Sequence, residues 1–199
     1  MNADGRHQTR LTKRADHDRF PVWSPDGSRI AFGSERAGRW ELWLMSADGS
    51  GARRLATGII AKSPRTWSRD GTRIVFAAER DGNRELFTIR ADGTGLTRLT
   101  TDPAVDQEPL WSPDGSHIAF QSVRADNYDI ETVRANGRGR IRLTTASKYD
   151  GLHHWSADGA RLTFISARDG YDAVYVIDAA GGSPRRLTTE ASLDPMWSP

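Results

Sequence analysis

Residues 23–32 read WSPDGSRIAF. They return as WSRDGTRIVF at Trp67, WSPDGSHIAF at Trp111 and WSADGARLTF at Trp155, each 44 residues after the last, and WSP opens again at Trp197. Leu11, Leu55, Leu99, Leu143 and Leu187 keep the same spacing, each behind an arginine, and so do Arg36, Arg80, Arg124 and Arg168. A period of this size running through the chain marks a repeat architecture and takes precedence over any local reading.

One unit reads as four short strands. FPVWS is the first. PDG turns the chain, because Pro presets φ and Asp-Gly tolerates the positive φ of a tight hairpin. SRIAFGS follows, with Ile30 and Phe32 on one face by period-two alternation. ERAGRW turns again, ELWLMS is the third strand, and ADGSGA leads into the fourth, RRLAT. ELFTIR, DIETVR and AVYVID stand where ELWLMS does in the later units. No segment has a helical period of useful length. Four strands in about 40–45 residues is the expectation for a β-propeller blade. A lone four-stranded unit cannot cover both its faces, so the units stack.

The expected fold is therefore all-β: one β-propeller over residues 1–199, built of four-stranded antiparallel blades. Complete units span about 20–57, 58–101, 102–145 and 146–189, with partial units at 1–19 and 190–199. Joining the two partial units leaves out the second strand and most of the third. The chain is thus expected to be a fragment of a larger propeller or an open arc, the alternative being a closed four-blade ring with a spare strand at each end.

Composition removes several function classes. There is no cysteine, hence no disulfide or thiolate metal site. No apolar run approaches a membrane span, and the opening MNADGRHQTRLTKR has no apolar core of a secretory signal. Net charge is only +2. Apart from Arg134, Arg138, Arg140 and Arg142, the arginines recur evenly instead of gathering on one face, which argues against nucleic acid.

The combined pattern WSPDGxxIAF, RxG, DG and RRLT resembles the repeat of TolB-type (WD-like) β-propellers, also found in the propeller domains of the prolyl oligopeptidase family. The resemblance covers essentially the whole chain. It implies a propeller that works by binding proteins, in the periplasm or another extracytoplasmic space. Fold alone does not fix function.

The residues offer no chemistry of their own to set beside that. No G-x-S-x-G elbow is present. Ser24, Ser68, Ser112 and Ser156 recur in every unit, whereas a catalytic centre needs one copy. His153 and His154 are adjacent on a strand and point to opposite faces, so they do not chelate together. The Asp-Gly turns lack EF-hand spacing. GSGARR and GTGLTR sit between strands with no helix N-terminus to hold a phosphate. No cofactor, metal or catalytic residue is expected.

Asp18, Asp106 and Asp150 lie five residues before the tryptophan, with Lys62 in that place in the second unit, and the recurring arginines lie thirteen after it. Propeller topology brings these two loops to one face, where Asp and Arg are expected to pair and orient the loops. Elsewhere the units depart from one another. Pro64 is shifted one place relative to Pro21 and Pro109, His153 stands where a proline would, and Glu131 replaces the aromatic of Trp43, Phe87 and Tyr175. A partner-binding face is expected at Asp18, Lys62, Arg65, Asp106, Asp150, His153 and His154, where the units differ or charge gathers. The leading expectation is a non-catalytic scaffold for a protein or peptide. Two alternatives stand beside it: the substrate-gating propeller of a prolyl-oligopeptidase-like peptidase, and a polysaccharide-binding or lyase propeller using Trp40 or Tyr171.

Overall fold

A computed structural model describes residues 6, 8–12, 17–56, 60–147 and 149–188, leaving the side chains of residues 60–65 and of His153 outside that description. The described residues form four four-stranded antiparallel sheets, each a simple meander in chain order. The first comprises β1 (His17–Trp23), β2 (Arg29–Arg36), β3 (Arg39–Ser46) and β4 (Arg53–Arg54). The second comprises β5 (Ile60–Trp67), β6 (Arg73–Arg80), β7 (Asn83–Arg90) and β8 (Thr97–Arg98). β9 (Val105–Trp111), β10 (His117–Arg124), β11 (Asn127–Arg134) and β12 (Ile141–Arg142) make the third. β13 (Asp150–Trp155), β14 (Arg161–Ser166), β15 (Ala173–Asp178) and β16 (Arg185–Arg186) make the fourth.

The repeated SPDG turn is held by its serine. Ser24 Oγ donates to Asp26 Oδ1 at 2.6 Å and accepts the Arg29 N–H at 2.9 Å, while Gly27, at φ 67°, closes the turn onto Ser24 O. Ser68, Ser112 and Ser156 make the same bonds to Asp70, Asp114 and Asp158. All four serines are buried. Their recurrence is thereby explained: a buried hydroxyl must be paired, and here it ties both ends of a hairpin.

The second hairpin is tighter than ERAGRW implies. Only Ala37 and Gly38 lie outside β2 and β3, both in the left-handed region at φ 51° and 73°. Asp81-Gly82 and Ala125-Asp126 repeat this in the next two sheets. Positive φ at both central residues gives a turn whose twist matches the strands, so pairing runs right up to it. The fourth sheet instead has a longer link between Ser166 and Ala173. Fourth strands are short. The recurring leucine just beyond each donates its N–H back to the third strand, as Leu55 does to Leu42 O at 2.8 Å.

Alternation along the second and third strands buries both faces of a middle sheet. Ile74 and Phe76 pack with Leu42, Leu44 and Leu55 of the first sheet. Val75 and Leu86 pack the other way, with Trp111, Ile118 and Phe120. Ile130 and Leu143 then meet Leu162, Phe164 and Tyr175. Leu11 packs against Ile30, Phe32 and Met45 on the outer half of the first sheet's leading face, occupying the role that Leu55 plays for the second sheet. The first strands β1, β5, β9 and β13 touch in succession and form the inner wall of the fan; among the described residues, the first and fourth sheets do not meet.

Candidate functional site

The inner wall is where the sequence places most of its variation. Asp18 lies on β1, Asp106 on β9, and Asp150 and His154 on β13. Lys62 and Arg65 are on β5 and His153 on β13, with their side chains outside the described part. Each inner strand carries a bulge a few residues before its tryptophan. At two of these bulges a non-glycine residue takes a left-handed conformation: Phe20 at φ 56° and Glu108 at φ 54°. Such conformations cost energy and re-aim side chains on a strand.

The expected Asp–Arg pairing forms in the fourth sheet. Arg168 Nη2 donates to both oxygens of Asp150, at 3.0 and 3.1 Å. The third sheet departs from expectation. Asp106 is held instead by Arg140, which donates to its two oxygens at 3.0 Å each and to Ser122 Oγ at 3.0 Å. Arg124 turns aside to Glu131, and to Asp102 at 3.4 Å. Glu131 explains the switch. It is buried and accepts from both Arg124 and Arg140. In the first and fourth sheets, which keep an aromatic there, the recurring arginine stacks on it: Arg36 lies 3.4 Å over the Trp43 ring, and Arg168 4.9 Å over Tyr175. A ring face and a carboxylate thus satisfy the same guanidinium in different sheets. Asp18 is half-buried, and its Oδ1 has no hydrogen-bond partner among the described residues. Arg80 meets only the exposed Asp81, at 3.8 Å, among the ion pairs described.

Burial pushes the Asp106 carboxyl up to about 6, against the opposing pull of Ser122 and Arg140. Burial also raises Asp129, opposed by Arg142. The turn aspartates shift the other way. Hydrogen bonds from Ser24 and Ser28 lower Asp26 to about 2, and those from Ser112 and Ser116 lower Asp114 to about 2. Asp106 and Asp150 are fully buried, so a partner reaches them only through the arginines they orient. Among the described residues no group of three or more His, Asp or Glu is placed to hold a metal.

Other residues come together that sequence reasoning passed over. Arg84 Nη1 donates to Gln107 Oε1 at 2.8 Å, Gln107 Nε2 donates to Gln121 Oε1 at 3.2 Å, and Gln121 Nε2 reaches Tyr149 Oη at 3.3 Å and Asp150 O at 3.1 Å. Tyr149 packs on Tyr128 with ring centroids 5.1 Å apart. On the first inner strand, Phe20 and Trp23 are 51% and 56% exposed. The signal for these residues was available as departure from the repeat: Phe20, Glu108, Gln107, Gln121, Tyr128 and Tyr149 each stand at a position the other units fill differently.

A family model described as the TolB beta propeller domain matches residues 56–199. The chain belongs to the TolB β-propeller family. The Tol-Pal system protein TolB of Anaeromyxobacter dehalogenans is 61% identical over 36 residues, which are 18% of this chain and 8% of that protein. The crystal structure of TolB from Acinetobacter baumannii superposes with a TM-score of 0.73 at 26% identity, over 96% of this chain and 48% of that one. The chain thus spans about half the length of that TolB. A structure from a study of two prolyl endopeptidases shares the fold, with a TM-score of 0.66 at 16% identity, over 89% of this chain and 29% of that one. Among the described residues of this TolB-type propeller, no helix is long and apolar enough to cross a membrane.

Proposed function

We propose that this chain is a non-catalytic TolB-type propeller scaffold that binds a protein or peptide along its inner strands, in an extracytoplasmic compartment. The observation that carries the reading is Phe20 on β1, a large aromatic more than half exposed. Phe20 is held there by a left-handed backbone at a bulge. Strained backbone clusters at functional sites, and aromatic side chains are enriched at protein interfaces. The buried arginine–carboxylate pairs around Asp106 and Asp150 serve this face from behind by fixing the loops that lead into the inner strands. We assign Asp18, Lys62, Arg65, His153 and His154 to this face from their places in the sequence. Membership of the TolB family and likeness to a Tol-Pal system protein support a protein partner and an envelope location.

The test is affinity capture from an envelope extract with the wild-type chain, Phe20→Ala and, as a control on the sheet-stacking face, Trp23→Ala. A partner retained by the wild type and reduced about tenfold or more by Phe20→Ala is expected, the loss typical of an interface anchor. Equal retention by the wild type and Phe20→Ala would overturn the reading.

A further inference from the structure

We infer that the groove between the third and fourth sheets binds a neutral saccharide. It is a pocket of about 520 Å³ lined by Gln107, Glu108, Gln121, Tyr128, Tyr149 and Leu152. A second hollow of about 480 Å³ shares Tyr149 with it and is also lined by Asp126, Asn127 and Ser147. The inference does not depend on Phe20, Trp23 or a protein partner.

Three observations carry it. First, all six lining residues stand at positions where no two sheets share a residue. Gln121 stands where the other sheets have Gly33, Ala77 and Ile165, and Tyr128 where they have Trp40, Arg84 and Asp172. Packing asks for sameness from sheet to sheet. The positions that line this pocket are free of that demand.

Second, Tyr149 is given a place to lie. A Cβ on Gly151 would come within 2.8 Å of Tyr149 Cε1 and 2.9 Å of its Oη. The other sheets have Arg19, Ser63 and Gln107 at that position. Gly151 has no positive φ to account for it. It is the missing side chain that lets the Tyr149 ring rest on the strand, still 49% exposed.

Third, the polar groups are fixed but not exhausted. An amide side chain can make four hydrogen bonds. Gln107 accepts from Arg84 and donates once to Gln121, which leaves it one N–H and one lone pair. Gln121 spends both N–H groups on Tyr149 and Asp150 and keeps one lone pair on Oε1. Orientation is set by internal bonds, and capacity remains for a ligand.

The chemistry selects the ligand class. Among the described residues the pocket is lined by one acidic side chain, Glu108, and by no lysine or arginine, a lining that favours a neutral sugar over an anionic one. Apolar lining is limited to Leu152 and the ring faces, which offers little to the buried apolar anchors of a peptide. A pyranose presents a C–H face that stacks on an aromatic ring and hydroxyls that both donate and accept. Those are the complements of a tyrosine face flanked by amides and a carboxylate.

The test is saturation-transfer NMR and titration calorimetry of the full chain with cello-, malto-, manno- and chito-oligosaccharides, set against oligogalacturonate and a proline-rich peptide. Binding of at least one neutral oligosaccharide is expected. Tyr149→Ala and Gly151→Ala should each weaken it about tenfold or more, the scale of a lost stacking contact, while Phe20→Ala leaves it unchanged. Gly151→Ala retains the tyrosine and only displaces it, so its effect separates placement from chemistry. The inference is overturned if no neutral saccharide binds, if binding survives both variants, or if only the acidic sugar or the peptide binds. The capture experiment with Phe20→Ala and Trp23→Ala reads the partner-binding proposal separately.

Discussion

Trp23 and Trp67 occupy the same place in the repeat, yet one is 56% exposed and the other 7%. Trp67 lies against the first sheet. Its indole N–H donates to Val22 O at 3.2 Å, and the Arg29 guanidinium covers its ring at 5.2 Å. Pro25 Cδ lies 3.6 Å from where a Cβ on Gly71 would stand, an ordinary packing distance between the two turns. Trp155 repeats the indole bond to Leu110 O at 3.1 Å. Among the described residues Trp23 has no preceding sheet to receive it. The same ten-residue motif thus makes a core residue in one sheet and a surface residue in another. The motif specifies a face that wants covering; the neighbouring sheet decides whether it is covered.

The sharpest way to break this comparison is to truncate both tryptophans. Trp67→Ala should cost about 3–5 kcal/mol, the usual loss for a large buried aromatic. Trp23→Ala should stay within about 1 kcal/mol, as for an exposed site. Urea unfolding of both variants measures the difference, and equal losses would mean that the two residues do not differ as described.

A second contrast of the same kind sets Arg124 against Arg36. Arg124→Ala removes one of two arginines from the buried Glu131 and should destabilise by about 2–3 kcal/mol, because a buried carboxylate loses part of its compensation. Arg36→Ala removes a guanidinium from the face of Trp43, an interaction of about 0.5–1 kcal/mol at a partly exposed site. Thermal unfolding in parallel would show whether the ion-paired sheet leans harder on its arginine than the stacked one.

Acid separates turn from interior. Asp26 and Asp114 are lowered from the ordinary carboxylate range to about 2 in the folded chain. Their contribution to stability is present above the unfolded value, about 4, and is lost as pH falls toward 2. Asp106, raised to about 6 by burial, has the opposite sign: the folded chain holds its proton longer, so stability falls as pH rises from about 4 to 6. A melting-temperature profile should therefore show a decline across the upper window that Asp106→Asn reduces, Asp129 being raised in the same direction, and an acid-side loss that it leaves in place.

The smallest effect belongs to Arg80. It keeps the recurring place, but its described ion pair is a 3.8 Å contact with the exposed Asp81, and both side chains are at least half exposed. Arg80→Ala should change stability by less than about 0.5 kcal/mol. A larger loss would show that the repeat position itself, and not the partner it finds, sets the weight of the arginine.

The fold was legible because it is periodic. Trp23, Ser24, Asp26 and Gly27 recur with the strands they connect, and each turn needs only residues within a few places of itself, such as Ser24 pairing with Asp26 and Arg29. The Asp150–Arg168 pair was legible for the same reason, since both ends recur. The Asp106–Arg140 pair was not. Arg140 lies in no recurring position, and its role follows from Glu131, whose substitution for an aromatic reads in sequence as drift and in structure as the centre of a charge network. The saccharide groove was still less visible, because Gln107, Gln121, Tyr128 and Tyr149 come from separate strands and loops.

By itself, the sequence determined the repeat, the four-stranded unit, the turn chemistry and the family, because those depend on local backbone preference and on a period that needs no partner to be read. Tertiary structure alone decided which copies of the motif are buried, which arginine answers which carboxylate, and where side chains that depart from the repeat gather into a pocket. Those outcomes depend on what the next sheet places opposite, and stacking of sheets brings together residues that the chain keeps tens of positions apart.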